Sequence, residues 1–239
     1  MLRAVGIQKH FDGRQALDVP EFTVAPGQIA VVIGPSGAGK TTLLRALSMV
    51  DPPSAGTISI NGTSYEFPER TIAPAPWPEL TVVFQQLFMW PHLTLRENIE
   101  LPLHLHGIMA GDRVEELIDE FQMQEFVNRY PNAVSTGERQ RAALVRAIAL
   151  QPRYLLLDEV TAALDIERVA LVLRKLQALK EAGVAIVAVT HALAFARRAA
   201  DAVYFVDGGT VSHEGDGTVL DRPTRPRLRE FLADIQHAT

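Results

Sequence analysis

The stretch Gly34-Pro-Ser-Gly-Ala-Gly-Lys-Thr-Thr42 constrains this chain more than any other. It follows an apolar run, Ile29-Ala-Val-Val-Ile33, and leads into a helical pattern that begins near Lys40. A buried strand must therefore give way to a helix across a glycine-rich loop. Glycines let the backbone wrap close to an anion with its N–H groups turned inward, and the helix N-terminus adds a favourable dipole. In such a loop the lysine reaches the β- and γ-phosphates of a nucleotide and the following hydroxyl ligates Mg²⁺, roles that fall to Lys40 and Thr41. Gly34, Pro35, Ser36, Gly37, Ala38, Gly39, Lys40, Thr41 and Thr42 are thus the expected phosphate-binding residues. The alternative, a merely glycine-rich turn, fits the flanking strand and helix less well.

A phosphate loop does not by itself separate a kinase, a GTPase, a motor and a transporter ATPase. Asn-Lys-x-Asp, the usual guanine-reading element, does not occur. Length allows 239 residues to form one large domain, or one domain with an inserted subdomain. With 47% hydrophobic and 21% charged residues the chain has enough apolar material for a core, which excludes disorder. The net charge of −5 counts against a general nucleic-acid binder, so no nucleic-acid partner is expected. Cysteine is absent, which removes disulfides and thiolate metal sites. The N-terminus lacks the apolar stretch of a secretory signal, and the longest apolar run, Ala182 to Ala196, is too short to span a bilayer. Work at a membrane would have to pass through a partner.

Alternation of short apolar runs with helical patterns points to an α/β core with parallel strands. Ile29–Ile33, Tyr154–Leu157, Val184–Val189 and Ala202–Val206 read as buried strands. Leu2 to Gln8, Phe22 to Val24 and Thr57 to Ile60 read as shorter strands between turn signals such as Pro26-Gly27 and Asn61-Gly62. From Thr94 to Leu150 no strand pattern occurs. Leu95 to His106, bent or divided at Pro102, then Asp112 to Asn128 and Gly137 to Leu150 read as helices inserted between two parts of the core. The proline-rich stretch Thr63 to Pro78 reads as an irregular surface connection.

Two further constellations carry chemistry. Tyr154-Leu-Leu-Leu-Asp-Glu159 is an apolar strand ending in two carboxylates. Because strand side chains alternate, Asp158 and Glu159 are expected to do different jobs: Asp158 in a Mg²⁺ shell, Glu159 polarising an attacking water. Val134-Ser-Thr-Gly-Glu-Arg-Gln-Arg141 opens a helix, with Ser135 as N-cap and Glu138 completing a capping box. That accounts for it structurally, yet a capped helix start carrying Ser and Gly is also a second phosphate-binding device.

Together these residues resemble the nucleotide-binding subunit of an ATP-binding cassette (ABC) transporter, from Phe11 to the C-terminus. Gly34 to Thr42 is similar to the Walker A motif, Leu155 to Glu159 to Walker B, and Ser135 to Gln140 to the signature motif. Gln85 matches the Q-loop glutamine, Ala163-Leu-Asp165 the D-loop, and His191 the switch histidine. Phe11 lies where the family carries an aromatic that stacks on adenine. The resemblance implies a P-loop NTPase (RecA-like) core with an N-terminal antiparallel β subdomain and an inserted α-helical subdomain. The divisions would fall at residues 1–93, 94–150 and 151–239 of a single ATPase domain. It also implies ATP and Mg²⁺ as ligands, with Thr41, Gln85 and Asp158 around the metal and Glu159, His191, Lys40 and Gln85 catalytic. A head-to-tail dimer would close over two ATP molecules, with Ser135 and Gly137 meeting the partner's γ-phosphate and Asp165 near it.

The signature departs from the usual Leu-Ser-Gly-Gly-Gln at Val134, Thr136 and Glu138, and Val160 replaces the usual proline after Walker B. A working but slower ATPase is the expectation. Phe84 to Thr94, Thr190 to Arg197 and Phe205 to Gly209 resemble the ATPases of polar amino acid importers. That implies transmembrane permease subunits, an extracytoplasmic solute-binding protein and a peripheral position on the cytoplasmic face of the inner membrane. An exporter subunit and a non-transport ABC ATPase stay open as alternatives. The permease contact is expected between Gln85 and the helical insertion, around Phe88 to Leu95, because the apolar and aromatic run Leu87-Phe-Met-Trp90 follows Gln85; the alternative is that these residues pack the insertion against the core.

Overall fold

The computed structural model of the chain describes residues 1–68 and 74–238, with side chains as far as 235. Strands β1 (Leu2–Phe11) and β2 (Arg14–Val24) form an antiparallel hairpin. Strand β4 (Ala55–Ile60) pairs with the other edge of β1, and β5 (Thr63–Phe67) with β4. The nucleotide-loop strand β3 (Ile29–Ile33) lies among parallel neighbours β6 (Leu80–Val83), β7 (Tyr154–Asp158), β8 (Ala185–Val189) and β9 (Ala202–Asp207). Strand β10 (Thr210–Gly215) returns antiparallel to β9 and touches β2 at Thr210 and Asp18. Among the described residues these ten strands make one sheet, in the order β5-β4-β1-β2-β10-β9-β3-β8-β7-β6.

Every residue of β3, β7 and β8 is buried, because both faces of this part of the sheet are covered. Period-two alternation divides them between two cores. Ile29, Val31, Leu155, Leu157 and Ile186 pack with the helices α2 (Leu95–Leu105), α3 (Gly111–Glu120), α4 (Thr136–Ala149) and α5 (Ile166–Glu181). Ala30, Val32, Leu156 and Val187 pack with α1 (Lys40–Leu47) and the N-terminal strands. Each large apolar side chain sealed this way contributes about 1.5–3 kcal/mol of burial. Helices α6 (Leu193–Ala199) and α7 (Pro226–Ala238) complete the chain. The architecture is the expected one: an α/β core around the phosphate loop, antiparallel strands on the N-terminal side, and helices inserted between β6 and β7.

Several local expectations are corrected. Thr63 to Pro78 is not wholly irregular: Asn61 and Gly62, at φ 54° and 84°, form the two-residue turn that an Asn-Gly pair favours. The turn folds Thr63–Phe67 back onto β4, and the Tyr65 hydroxyl donates to the Pro74 carbonyl at 2.9 Å. Residues 69–73 of that stretch lie outside the described residues. Strand β2 begins at Arg14, well before Phe22, and Pro20 falls where no partner is paired with it in the β1–β2 register. Helix α2 continues through Pro102 undivided. The helix expected over Asp112 to Asn128 stops at Glu120, and Gln122 turns left-handed at φ 53°. Arg141 holds that turn, donating to the Phe121 and Gln122 carbonyls at 2.8 and 2.9 Å. Strands β6 and β10 were not apparent in the hydropathy pattern, being short or half-exposed.

Candidate functional site

Four adjacent strands, β3, β8, β7 and β6, each hand one functional segment to the same edge of the sheet. Strand β3 runs into the phosphate loop, β8 into Thr190-His191, β7 into Asp158-Glu159, and β6 into Phe84-Gln85. Carboxyl ends of parallel strands are the usual place for ligands in α/β sheets. Here they enclose a cleft of about 440 Å³ lined by Ser36, Gly37, Gly39, Lys40, Thr41, Thr42, Gln85, Asp158, Glu159, Ala162 and His191. Gly34, Pro35 and Ala38 lie in the loop but do not line it.

Gly34, at φ 154°, sits where a Cβ would come 2.1 Å from the Val206 carbonyl oxygen, so the neighbouring strand β9 alone excludes any other residue. Lys40 is buried and donates to the Gly34 and Pro35 carbonyls, both at 2.8 Å. Burial pushes its pKa down, while Glu159 and Asp158 pull it back up. The Thr41 hydroxyl donates to Asp158 Oδ2 at 2.9 Å. The other oxygen, Oδ1, is buried and makes no hydrogen bond among the described residues. Burial pushes the Asp158 pKa up, against the Thr41 hydrogen bond and the charge of Lys40. An unmatched buried oxygen costs about 1–3 kcal/mol. One such oxygen beside a threonine hydroxyl is a hard-oxygen donor set, the chemistry that Mg²⁺ takes.

Glu159 departs from the alternation expected of a strand. Its φ of 53° is left-handed, and this turn swings its carboxylate into the same cleft as Asp158. A residue with a Cβ pays roughly 1–2 kcal/mol for that conformation. The backbone is fixed by its N–H donating to the Val189 carbonyl at 3.0 Å. Its carbonyl accepts from the Ala162 N–H at 3.2 Å and from Gln140 Nε2 at 3.0 Å. The His191 N–H donates to Glu159 Oε2 at 3.3 Å, and His191 Nε2 lies 3.2 Å from Oε1. Burial raises the Glu159 pKa, with the His191 N–H and Lys40 opposing it. Burial, then the nearby Lys40 charge, lowers that of His191, so its imidazole is neutral at pH 7. Such a carboxylate can hold a water and accept its proton.

Ser135, Gly137 and Asp165 are not in this cleft. They line a second, of about 350 Å³, with Thr136, Glu138, Arg141, Ala163 and Arg168. The capping box on α4 forms as expected: Glu138 Oε2 accepts from the Ser135 N–H at 2.7 Å and from its hydroxyl at 2.8 Å. A Cβ on Gly137 would stand 3.0 Å from the Ala163 carbonyl, so only glycine fits there without displacement. Asp165 caps α5 through the Arg168 N–H and pairs with the Arg168 guanidinium. Phe11, 46% exposed at the end of β1, lines neither cleft, and Lys9 Nζ lies 5.3 Å from its ring centre.

Two residues of α4 went unassigned in the sequence. Gln140 reaches the Glu159 carbonyl, and Arg146 reaches the segment after Gln85, donating to the Leu87 and Phe88 carbonyls at 2.7 and 3.1 Å. Burial lowers the Arg146 pKa to about 10. Asn98 also grips this segment, accepting from the Trp90 N–H at 2.8 Å and donating to the Trp90 carbonyl at 3.0 Å. For Arg146 the available signal was a charged residue inside the apolar run Ala142 to Ala149, whereas Gln140 and Asn98 stand among other polar residues and carry no such mark.

The pattern of the ABC transporter family matches residues 17–162. The glutamine transport ATP-binding protein GlnQ of Escherichia coli K12 is 36% identical, over 98% of this chain and 100% of that one. The arginine transport ATP-binding protein ArtM of Bacillus subtilis 168 is 35% identical, over 98% and 100%. A dimeric bacterial ABC transporter cassette, MJ0796, superposes with a TM-score of 0.80 at 28% identity, over 90% of this chain and 98% of that one. The same cassette is also known as a dimer in a post-hydrolysis state with ADP and Pi bound (TM-score 0.78, 28% identity, 90% and 98% covered). Motif order, strand-end geometry and near full-length similarity agree, and the chain belongs to the ABC transporter family, as one of its ATP-hydrolysing cassettes.

Proposed function

We propose that this cassette powers the import of polar amino acids, as a head-to-tail dimer bound to permease subunits on the cytoplasmic face of the inner membrane. An extracytoplasmic solute-binding protein would supply the solute. The observation that carries the chemistry is the convergence of Lys40, Gln85, Asp158, Glu159 and His191 on one cleft. The choice of solute class rests on relatives that match end to end and are named for glutamine and arginine transport. Among the described residues no helix is long and apolar enough to cross a membrane.

In this reading Lys40 and the loop amides hold the β- and γ-phosphates, and Phe11 stacks on adenine. Thr41, Asp158 and Gln85 would hold Mg²⁺, which supplies neutralising charge on the phosphate oxygens. Glu159 accepts a proton from the attacking water, its raised affinity for protons matching it to that task. Neutral His191 orients the water and the γ-phosphate. Ser135 and Gly137 offer the α4 N-terminus to the partner's nucleotide, with Asp165 beside them. Residues 94–150 act as the unit that carries the signature.

Glu159→Gln is the primary test. It should keep ATP binding, lower turnover by about 10²–10⁴-fold and favour an ATP-bound dimer. Turnover at the wild-type rate would remove Glu159 from the role. The permease contact is assigned to Phe88 and Trp90, which are 55% and 37% exposed although Leu87 and Met89 pack on the core. Trp90→Glu should abolish copurification with the permease and leave the cassette folded. Loss of folding instead would make the segment a packing element.

A further inference from the structure

We propose that Gln140 is a positioning residue for hydrolysis: its side-chain amide holds the Glu159 carbonyl and keeps the left-handed turn that aims the carboxylate into the cleft. The inference rests on the reading of Glu159 as the base. Gln140 lies on α4, one and a half turns beyond the Ser135 cap, and is 5% exposed. Its Nε2 donates to the Glu159 carbonyl at 3.0 Å, and since a carbonyl only accepts, the orientation of the amide is fixed.

The other half of that amide argues against a purely structural role. Gln140 Oε1 is buried and has no hydrogen-bond partner among the described residues. A buried amide with its oxygen unmatched is a poor way to stabilise a helix, and an apolar residue of similar shape would do better. The Glu159 carbonyl already accepts from the Ala162 N–H at 3.2 Å, so the contact is not needed merely to satisfy it. What the second donor adds is direction. Glu159 is a non-glycine residue at φ 53°, and such conformations persist only where the surroundings over-determine them. Three main-chain contacts do so here, from Val189, Ala162 and Gln140, and only the last is a side chain that substitution can remove.

Gln140→Met keeps the volume and removes both the donor and the orphaned oxygen. Expected is a fall in kcat of about tenfold, with nucleotide affinity retained within about twofold and an unchanged or higher Tm. A structural role differs in Tm, which would fall and take kcat down with it. The inference is overturned if kcat stays at the wild-type value, or if its loss tracks a loss of folded protein. Should Gln140→Met not fold, Gln140→Glu replaces it. Ionised, that side chain cannot donate to the carbonyl; protonated, it can. Its rate relative to wild type should therefore climb as pH falls, and a ratio independent of pH overturns the proposal. Glu159→Gln, assayed alongside, separates the two claims. If that variant turns over normally, the base assignment fails. If it is inactive while Gln140→Met is as fast as wild type, only the positioning fails.

Discussion

The two clefts handle charge in opposite ways. In the nucleotide cleft the carboxylates are buried and incompletely matched: one Asp158 oxygen makes no hydrogen bond, and burial raises the pKa values of both Asp158 and Glu159. On the signature face the carboxylates are satisfied from within. Glu138 is held below its ordinary pKa by the Ser135 N–H, Asp165 by the Arg168 N–H, and Arg139 donates to the Thr136 hydroxyl at 3.0 Å. One cleft is prepared for a ligand at a cost to the free protein. The other has to exchange bonds it already makes, because the Ser135 hydroxyl is donated to Glu138. The contrast suits a cassette that binds nucleotide alone and closes only when a partner arrives.

Acid should separate the two clefts most sharply. Glu159 must be ionised to accept a proton, and burial raises its pKa, so this form is lost at a higher pH than it would be for an exposed glutamate. The same sign makes ionised Asp158 and Glu159 a burden on the fold, relieved as pH falls. Glu138 and Asp165 have depressed pKa values, so their contribution is present above the unfolded-state pKa and lost only as pH falls through the lower folded value. Mild acidification should therefore remove most of the ATPase activity while Tm holds. A rate profile of kcat/KM beside melting curves at each pH checks this, and simultaneous loss of both would erase the distinction. A smaller effect is expected from Thr136→Gly with Glu138→Gln. Relief of one charge near an anion at a helix N-terminus is worth about 1 kcal/mol, about fivefold in rate. The isolated cassette should speed up by that factor with unchanged ATP affinity. If it is no faster and dimerises no better in ATP, the signature does not limit this protein.

What was legible in the sequence was local chemistry. The loop from Gly34 to Thr42 declares itself because glycine, lysine and hydroxyl must stand at fixed spacing, and the buried strands because continuous apolar runs have few other uses. The Ser135 cap was readable for the same reason. Contacts between distant segments were not. Nothing at Glu159 marks a left-handed residue, since neither glycine nor asparagine stands there, and alternation gave it a different job from Asp158 without showing that both carboxylates share one cleft. Gln140 could be seen within the signature stretch, but its partner lies 19 positions along the chain and is a main-chain carbonyl. Arg146, likewise, answers to carbonyls 58 and 59 positions away.

The delivery of functional segments by four neighbouring strands makes the sheet a ruler. Hydrogen-bonded strands stand about 4.8 Å apart, so the span from the phosphate loop to Gln85 is roughly three such intervals, about 14 Å. That span is set by backbone hydrogen bonding and hardly at all by the side chains around it. Segments joining the strands can therefore lengthen, shorten or acquire whole helices, as between β6 and β7, without changing the distances over which the chemistry acts. Evolution is thus free to rewrite the surface that chooses a permease while leaving the gauge of the engine untouched.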